Sequence, residues 1–221
     1  MNLLNTPWIL HWISKQNGSS PEPIPPEPQP TKSVLPDGTK FINSTFKQLP
    51  DTLDYSEITT SENMFIQCYS IEYFSGSMPK LTTARSMFNG DTTLKECHLL
   101  DTELCEDFFG TFNNCSSLTS VEVNISKASN CGSMFYGCNH LVDLPELAIT
   151  ESNPNLQNMF KNCSRLSNTS IQNILKLLND LVSYTNTKTL SYIGLDSTQA
   201  NIAIQFPEWS TLSSNGWTTG Y

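Results

Sequence analysis

Five segments of this chain carry the same three-point signature at nearly constant spacing, and that period constrains the fold more than any other feature. Phenylalanines stand at Phe65, Phe88, Phe112, Phe135 and Phe160, in steps of 23, 24, 23 and 25 residues. Three residues after each comes Cys68, Asp91, Cys115, Cys138 or Cys163, so one position departs from cysteine. Six residues after each comes an aliphatic: Ile71, Leu94, Leu118, Leu141 or Leu166. A period of about 23 residues predicts one coil of a solenoid, built as a short strand, a turn and a short helical or irregular return. Phe65, Cys68, Phe88, Phe112, Cys115, Phe135, Cys138, Phe160 and Cys163 are then the repeating core. Leu118-Thr119-Ser120-Val121-Glu122-Val123 alternates apolar with polar residues, as a half-buried strand does. The links Asn113-Asn114, Tyr136-Gly137 and Asn162 suit turns.

A solenoid exposes a raw apolar face at each end and needs caps. Leu35-Pro36-Asp37-Gly38-Thr39 reads as a turn leading into Lys40-Phe41-Ile42, with Phe46 and Leu49-Pro50 forming a degenerate first coil. At the other end, Thr169-Ser170-Ile171-Gln172 has the form of a capping box. It opens a helix whose Ile171, Ile174, Leu175, Leu178, Leu181 and Val182 line one apolar face. A strand over 189–195 and a last short helix from Pro207 to Gly216, with Trp217 packing back, complete a helix–strand–helix unit.

Two segments precede the head. Residues 1–20 are rich in large apolar groups, and Leu4, Trp8, Ile9, Trp12 and Ile13 are candidate anchor residues that dock into a structural protein of a larger particle. Folding back onto the chain's own domain and lying on a membrane surface are the alternatives. Residues 21–34 are proline-rich and read as a stiff polyproline II linker of about 3.1 Å per residue. The expected organisation is therefore anchor over 1–20, arm over 21–34, repeat domain over 35–168 and capping unit over 169–221.

The formal net charge of -9, from 21 acidic and 12 basic residues, argues against nucleic acid as the main partner, because phosphate binding needs clustered cations. No apolar run reaches the length of about 18 residues that spans a bilayer. The N-terminus lacks the basic start and small-residue cleavage site of a signal peptide, which leads to the expectation that the first residues are retained.

The search for chemistry gives no catalytic constellation. The ladder of Cys115, Cys138 and Cys163 would place thiols about 4.8 Å apart on adjacent rungs, close enough in principle for a bond or a metal. Buried thiols packing as small hydrophobes is the preferred reading. Cys97-His98 and Cys138-Asn139-His140 lack the second half of a zinc motif. Glu103, Glu106 and Asp107 read as a solvated face rather than a carboxylate pair. No catalytic residue, cofactor or metal is expected. Binding remains, with the turn aromatics Tyr69, Tyr73, Phe74 and Tyr136 as candidate surface residues.

The repeat resembles that of the BspA-type leucine-rich repeat proteins of Bacteroides surfaces and their relatives in mycoplasmas and some protozoa. The likeness rests on Met64-Phe65 to Cys68, on Met134-Phe135 to Cys138 with Leu141, and on Met159-Phe160 to Cys163 with Leu166. The helix, Thr-Leu segment and Asn-Gly-Trp ending of the last 50 or so residues are similar to that family's C-terminal unit, so the resemblance covers roughly residues 35–221. Asp91 and Thr111 depart from its pattern. The resemblance implies an α/β solenoid of leucine-rich-repeat-like coils and a role in adhesion or recognition. Similar domains on virion proteins of Bacteroidetes phages, with the missing signal sequence, lead to the expectation of a phage fibre or other virion-surface module recognising a host surface protein or glycan. The alternative is a cell-surface or secreted adhesin. Oligomerisation is possible in either case.

Overall fold

The computed structural model describes residues 33–50, 52–181 and 183–221, all of which belong to the unit Lys32–Tyr221. The anchor expected over 1–20, with Leu4, Trp8, Ile9, Trp12 and Ile13, lies outside the described residues. So do the arm, except for its last two positions, and Val182.

The described residues form two small parallel sheets and four short helices. Strands β1 (Ser33–Val34) and β2 (Leu53–Asp54) pair with each other. Strands β3 (Tyr73–Ser77), β4 (Glu96–Leu100) and β5 (Ser120–Val123) form a second sheet in that order. The helices are α1 (Asn168–Asp180), α2 (Leu190–Ile193), α3 (Ser197–Ala203) and α4 (Glu208–Ser214).

This corrects the expected α/β solenoid of leucine-rich-repeat-like coils. Among the described residues, no helix lies between the strands, and regular strand and helix make up a minor part of the chain. The period gives the number of residues between equivalent positions but not their conformation, and here most of them form turns. The reason is local. Residues two before and two after each repeat phenylalanine have positive φ: Asn63 and Gln67, Ser86 and Gly90, Gly110 and Asn114, Ser133 and Gly137, Asn158 and Asn162. Two left-handed residues within five interrupt any right-handed helix.

The same turns carry the lateral bonding. The N–H groups of Asn63, Phe65 and Gln67 donate to the carbonyls of Arg85, Met87 and Asn89 at 3.0, 2.8 and 3.0 Å. Equivalent bonds run from Ser86, Phe88 and Gly90 to Phe109, Thr111 and Asn113. Backbone groups that a helix would pair internally are thus satisfied by the next pass of chain. A second line of parallel bridges links Thr60, Thr83, Asp107, Asn130 and Asn155. Here Asp107 and Asn130 accept the N–H two residues on, at 2.9 and 3.2 Å.

Inside, six phenylalanine rings stack. Phe41, Phe65, Phe88, Phe112, Phe135 and Phe160 have successive centroids 5.2, 5.0, 5.6, 5.5 and 5.8 Å apart, with interplanar angles of 10° or less. Offset near-parallel rings at this spacing are favourable beyond their burial. Phe41 closes the stack, whereas Phe46, expected in the first coil, is 51% exposed. Thr111, in the place of a repeat methionine, is fully buried because its hydroxyl donates to the carbonyls of Ala84 and Phe108 at 3.0 and 2.8 Å.

The C-terminal unit also departs from expectation. Helix α1 begins two residues earlier than the proposed box, with Ser167 as the cap accepting from Ser170 N–H. The segment expected as a strand over 189–195 is the short helix α2. Thr189 caps it by accepting from Tyr192 N–H at 3.0 Å, and Gly194 ends it in the left-handed region. Tyr192 and Ile193 offer their carbonyls to the N–H groups of Asn158 and Phe160, at 2.8 and 2.9 Å. These donors correspond to the ones that earlier passes send forward, so α2 closes the ladder. Gly194 is required there, since a Cβ would lie 2.3 Å from the Lys161 nitrogen. Trp217 packs back as expected, stacking on Tyr184 at 5.5 Å.

Two outcomes test this account by urea unfolding of the full chain. Phe112→Ala, in the middle of the stack, should cost about 3–5 kcal/mol. Ser133→Gly should instead stabilise, by up to about 1 kcal/mol, because the relief of a strained positive φ exceeds the added freedom of the unfolded chain.

Candidate functional site

The exposed face of the β3–β4–β5 sheet gathers the polar chemistry. Strand alternation turns Phe74, Cys97 and Val121 inward and leaves the neighbours outward. Parallel register then sets Tyr73 beside Glu96 and Ser120, and Ser75 beside His98 and Glu122. His98 is held on both sides: Nδ1 lies 2.6 Å from Glu122 and Nε2 2.8 Å from Glu96. An imidazole with an acceptor at each nitrogen is satisfied only as the doubly protonated cation. The bond to Glu122 and then that to Glu96 accordingly raise the His98 pKa. The Tyr73 ring stands 5.7 Å from the imidazole. Below this row, Glu72 bridges Lys47 and Lys95 at 3.3 and 2.7 Å.

A cleft of about 390 Å³ adjoins the face, where β2 and β3 belong to separate sheets. Leu49, Tyr55, Tyr73, Ser75, Ser77 and Leu100 are among its lining. Gly76 keeps the wall thin: a Cβ there would meet the Phe74 ring at 2.8 Å and the Tyr55 ring at 3.1 Å, and those two rings pack edge to face.

Of the four candidate surface aromatics, the structure brings Tyr73 to the exposed face and Phe74 to the wall of the cleft, and places Tyr69 and Tyr136 elsewhere. Phe74 is 2% exposed and forms core beneath the cleft, which corrects its placement on the surface. Its position on β3 puts it on the inward side of the strand. Tyr69 is 54% exposed, and it and the half-buried Tyr136 sit on turn residues outside the strands. The sequence reading missed His98, Glu96 and Glu122. A signal was available: Glu96 and His98 alternate on one strand, and Glu122 follows His98 by 24 residues, one period later.

The repeat-core residues Phe65, Cys68, Phe88, Phe112, Cys115, Phe135, Cys138, Phe160 and Cys163 are all buried. The seven cysteines are free. The repeat thiols do not pair with one another; each donates to a phenylalanine carbonyl of the preceding pass. Cys68, Cys115, Cys138 and Cys163 reach Phe41, Phe88, Phe112 and Phe135 at 2.8, 3.1, 3.0 and 2.9 Å. Burial pushes the Cys115 and Cys138 thiols well up, and that of Cys163 to about 12, so they hold their protons. A thiol that stays protonated is a poor nucleophile and a poor metal ligand. Among the described residues no group of three or more His, Cys, Asp or Glu is disposed to hold a metal ion. No helix among them is long and apolar enough to cross a membrane.

The pattern of the family described as "Mycoplasma protein of unknown function, DUF285" matches residues 38–139 and 77–174. The chain belongs to this family, and the matched residues include the whole phenylalanine stack from Phe41 to Phe160. No curated protein and no solved structure matches the chain.

The His98 clamp has a pH signature. Its pKa is raised, so the stability it adds is fully present below the ordinary histidine value of 6.5 and is lost as pH rises through the higher folded value. The histidine is partly buried but both carboxylates that hold it are exposed, so solvent screens the pairs and the contribution is small. NMR titration of the ring should place the His98 midpoint above 6.5, and Glu122→Gln should lower it.

Proposed function

We propose that this chain is a non-enzymatic recognition module akin to the BspA-type surface proteins. In this reading it is displayed on a bacteriophage particle, with residues 1–20 docked into a structural subunit and the sheet face turned toward a host surface protein or glycan. The observation that carries the binding role is the Tyr73–His98 face beside an open cleft. Its charged side chains are already engaged by one another, which fixes their directions before a partner arrives and lowers the ordering cost of binding. A half-buried aromatic beside fixed hydrogen-bonding groups suits adhesion, where orientation matters more than proton transfer. His98 has no free lone pair while both carboxylates hold it, so it is poorly suited to act as a general base.

A second reading is a cell-surface or secreted adhesin, and one observation favours it: the family is described from Mycoplasma, a cellular organism. The two readings separate in the native source. Intact chain sedimenting with particles and retaining residues 1–20 supports the virion module; a shortened chain in the envelope fraction overturns it. The binding role has its own readout. Tyr73→Ala combined with His98→Ala should lower binding of the purified full chain to intact host cells at least about tenfold, the loss of roughly 1.4 kcal/mol. Unchanged binding would remove this face as the site.

A further inference from the structure

We propose that Asp91 is carried in the folded protein as a neutral carboxylic acid donating to the Phe65 carbonyl, so that it replaces the missing thiol of its pass and makes the fold tighter in acid than in mild base.

The geometry leaves one donor unaccounted for. Each of the carbonyls of Phe41, Phe88, Phe112 and Phe135 accepts two hydrogen bonds. One comes from the N–H three residues on, and the second from a cysteine thiol of the next pass. Among the described residues, the Phe65 carbonyl accepts only the N–H of Cys68, at 3.1 Å. The residue that stands where its second donor belongs is Asp91, whose own N–H keeps the ladder pattern by donating to Phe88 at 3.0 Å. A carboxylate accepts only, whereas a carboxylic acid has one O–H to give.

The carboxyl itself has the matching vacancy. Asp91 is fully buried. Its Oδ1 lies 3.2 Å from the Thr93 hydroxyl, whose one proton also faces the Ile71 carbonyl at 3.0 Å, while Oδ2 is buried with no partner. An ionised oxygen in that position would be uncompensated in an apolar core, which proteins avoid by keeping the proton. The titratable groups facing it are thiols. Cys97 projects inward from β4 and Cys115 comes from the following pass. Burial holds both well above the ordinary thiol range, with the nearness of Asp91 adding to the shift. Cys68 holds the equivalent position in the preceding pass. Neutral thiols supply no countercharge. Desolvation therefore raises the Asp91 pKa from 3.8 to about 7, against the smaller opposing pull of the Thr93 hydroxyl and the Thr93 and Leu94 N–H groups.

The sign follows from linkage. A carboxyl whose folded pKa is raised binds its proton more tightly in the native state. Its contribution is full below the unfolded value near 4 and is lost as pH rises through the folded value near 7. A shift of about three units sets a ceiling of roughly a thousandfold on the change in folding equilibrium constant across that window.

The test is urea unfolding of the full chain at pH 5 and pH 8, for wild type, Asp91→Cys and Asp91→Asn. Cysteine restores the thiol donor and asparagine supplies an N–H donor; asparagine does not titrate, and a thiol with an ordinary value of about 8.5 changes little up to pH 8. The wild-type midpoint should fall from pH 5 to pH 8. Both variants should lose most of that fall and exceed wild type at pH 8. His98 titrates in all three proteins, so the difference between profiles isolates Asp91. Variants that keep the full wild-type slope, or that are less stable than wild type at pH 8, would overturn the proposal. Carbon-13 NMR of the wild-type carboxyl needs no variant. A midpoint near 7 supports the protonated acid, and one near 4 refutes it.

Discussion

The stacking of one phenylalanine per pass is the contact on which the remaining structure depends. Ring spacings between 5.0 and 5.8 Å tie the passes together, close to the distance at which parallel backbones exchange hydrogen bonds. Once the rings are stacked, the N–H groups on either side of each phenylalanine meet the carbonyls of the next pass. The thiols three residues on meet the phenylalanine carbonyls of the pass before. The core is therefore apolar in its rings and polar in its seams, and each buried seam group has to find a partner across the gap. That demand explains why substitutions within the period are of restricted kinds. Thr111 enters the methionine position with a hydroxyl whose one proton faces two carbonyls, and Asp91 enters the cysteine position where only its acid form can donate.

The sheet face is a consequence of that register. Residues one period apart become neighbours, so Glu122 reaches His98 and Lys95 reaches Glu72 without any local sequence signal. Exposed pairs of this kind add little stability. They do fix the directions of charged side chains beside the cleft, and a recognition surface gains from that because less is left to order when a partner binds.

Much of the arrangement was legible in the chain. The spacing of Phe65, Phe88, Phe112, Phe135 and Phe160 identified them as repeating core, though not that their rings stack, and the burial of Cys115 followed from sharing that spacing. The apolar face of α1 appeared in the offsets from Ile171 to Leu178. Errors came where one pattern serves two conformations. Thr189 through Leu195 is rich in β-formers, yet Thr189 and Gly194 act as helix start and stop signals and the carbonyls they expose close the ladder. Phe46 was expected in the first coil and Phe41 in the segment before it, yet it is Phe41 that stacks on Phe65.

The sequence by itself determined which positions are equivalent and that the repeat positions are buried, because a hydrophobic period persists whatever conformation realises it. The tertiary structure alone decided that most residues between those positions form turns rather than helical returns, since left-handed residues such as Ser86 and Ser133 are held there by bonds to the next pass. It also decided where Phe74 points and which partners His98 and Asp91 meet. Glu122 lies about one period from His98 in the chain, and only the register of packed passes brings the two within bonding distance.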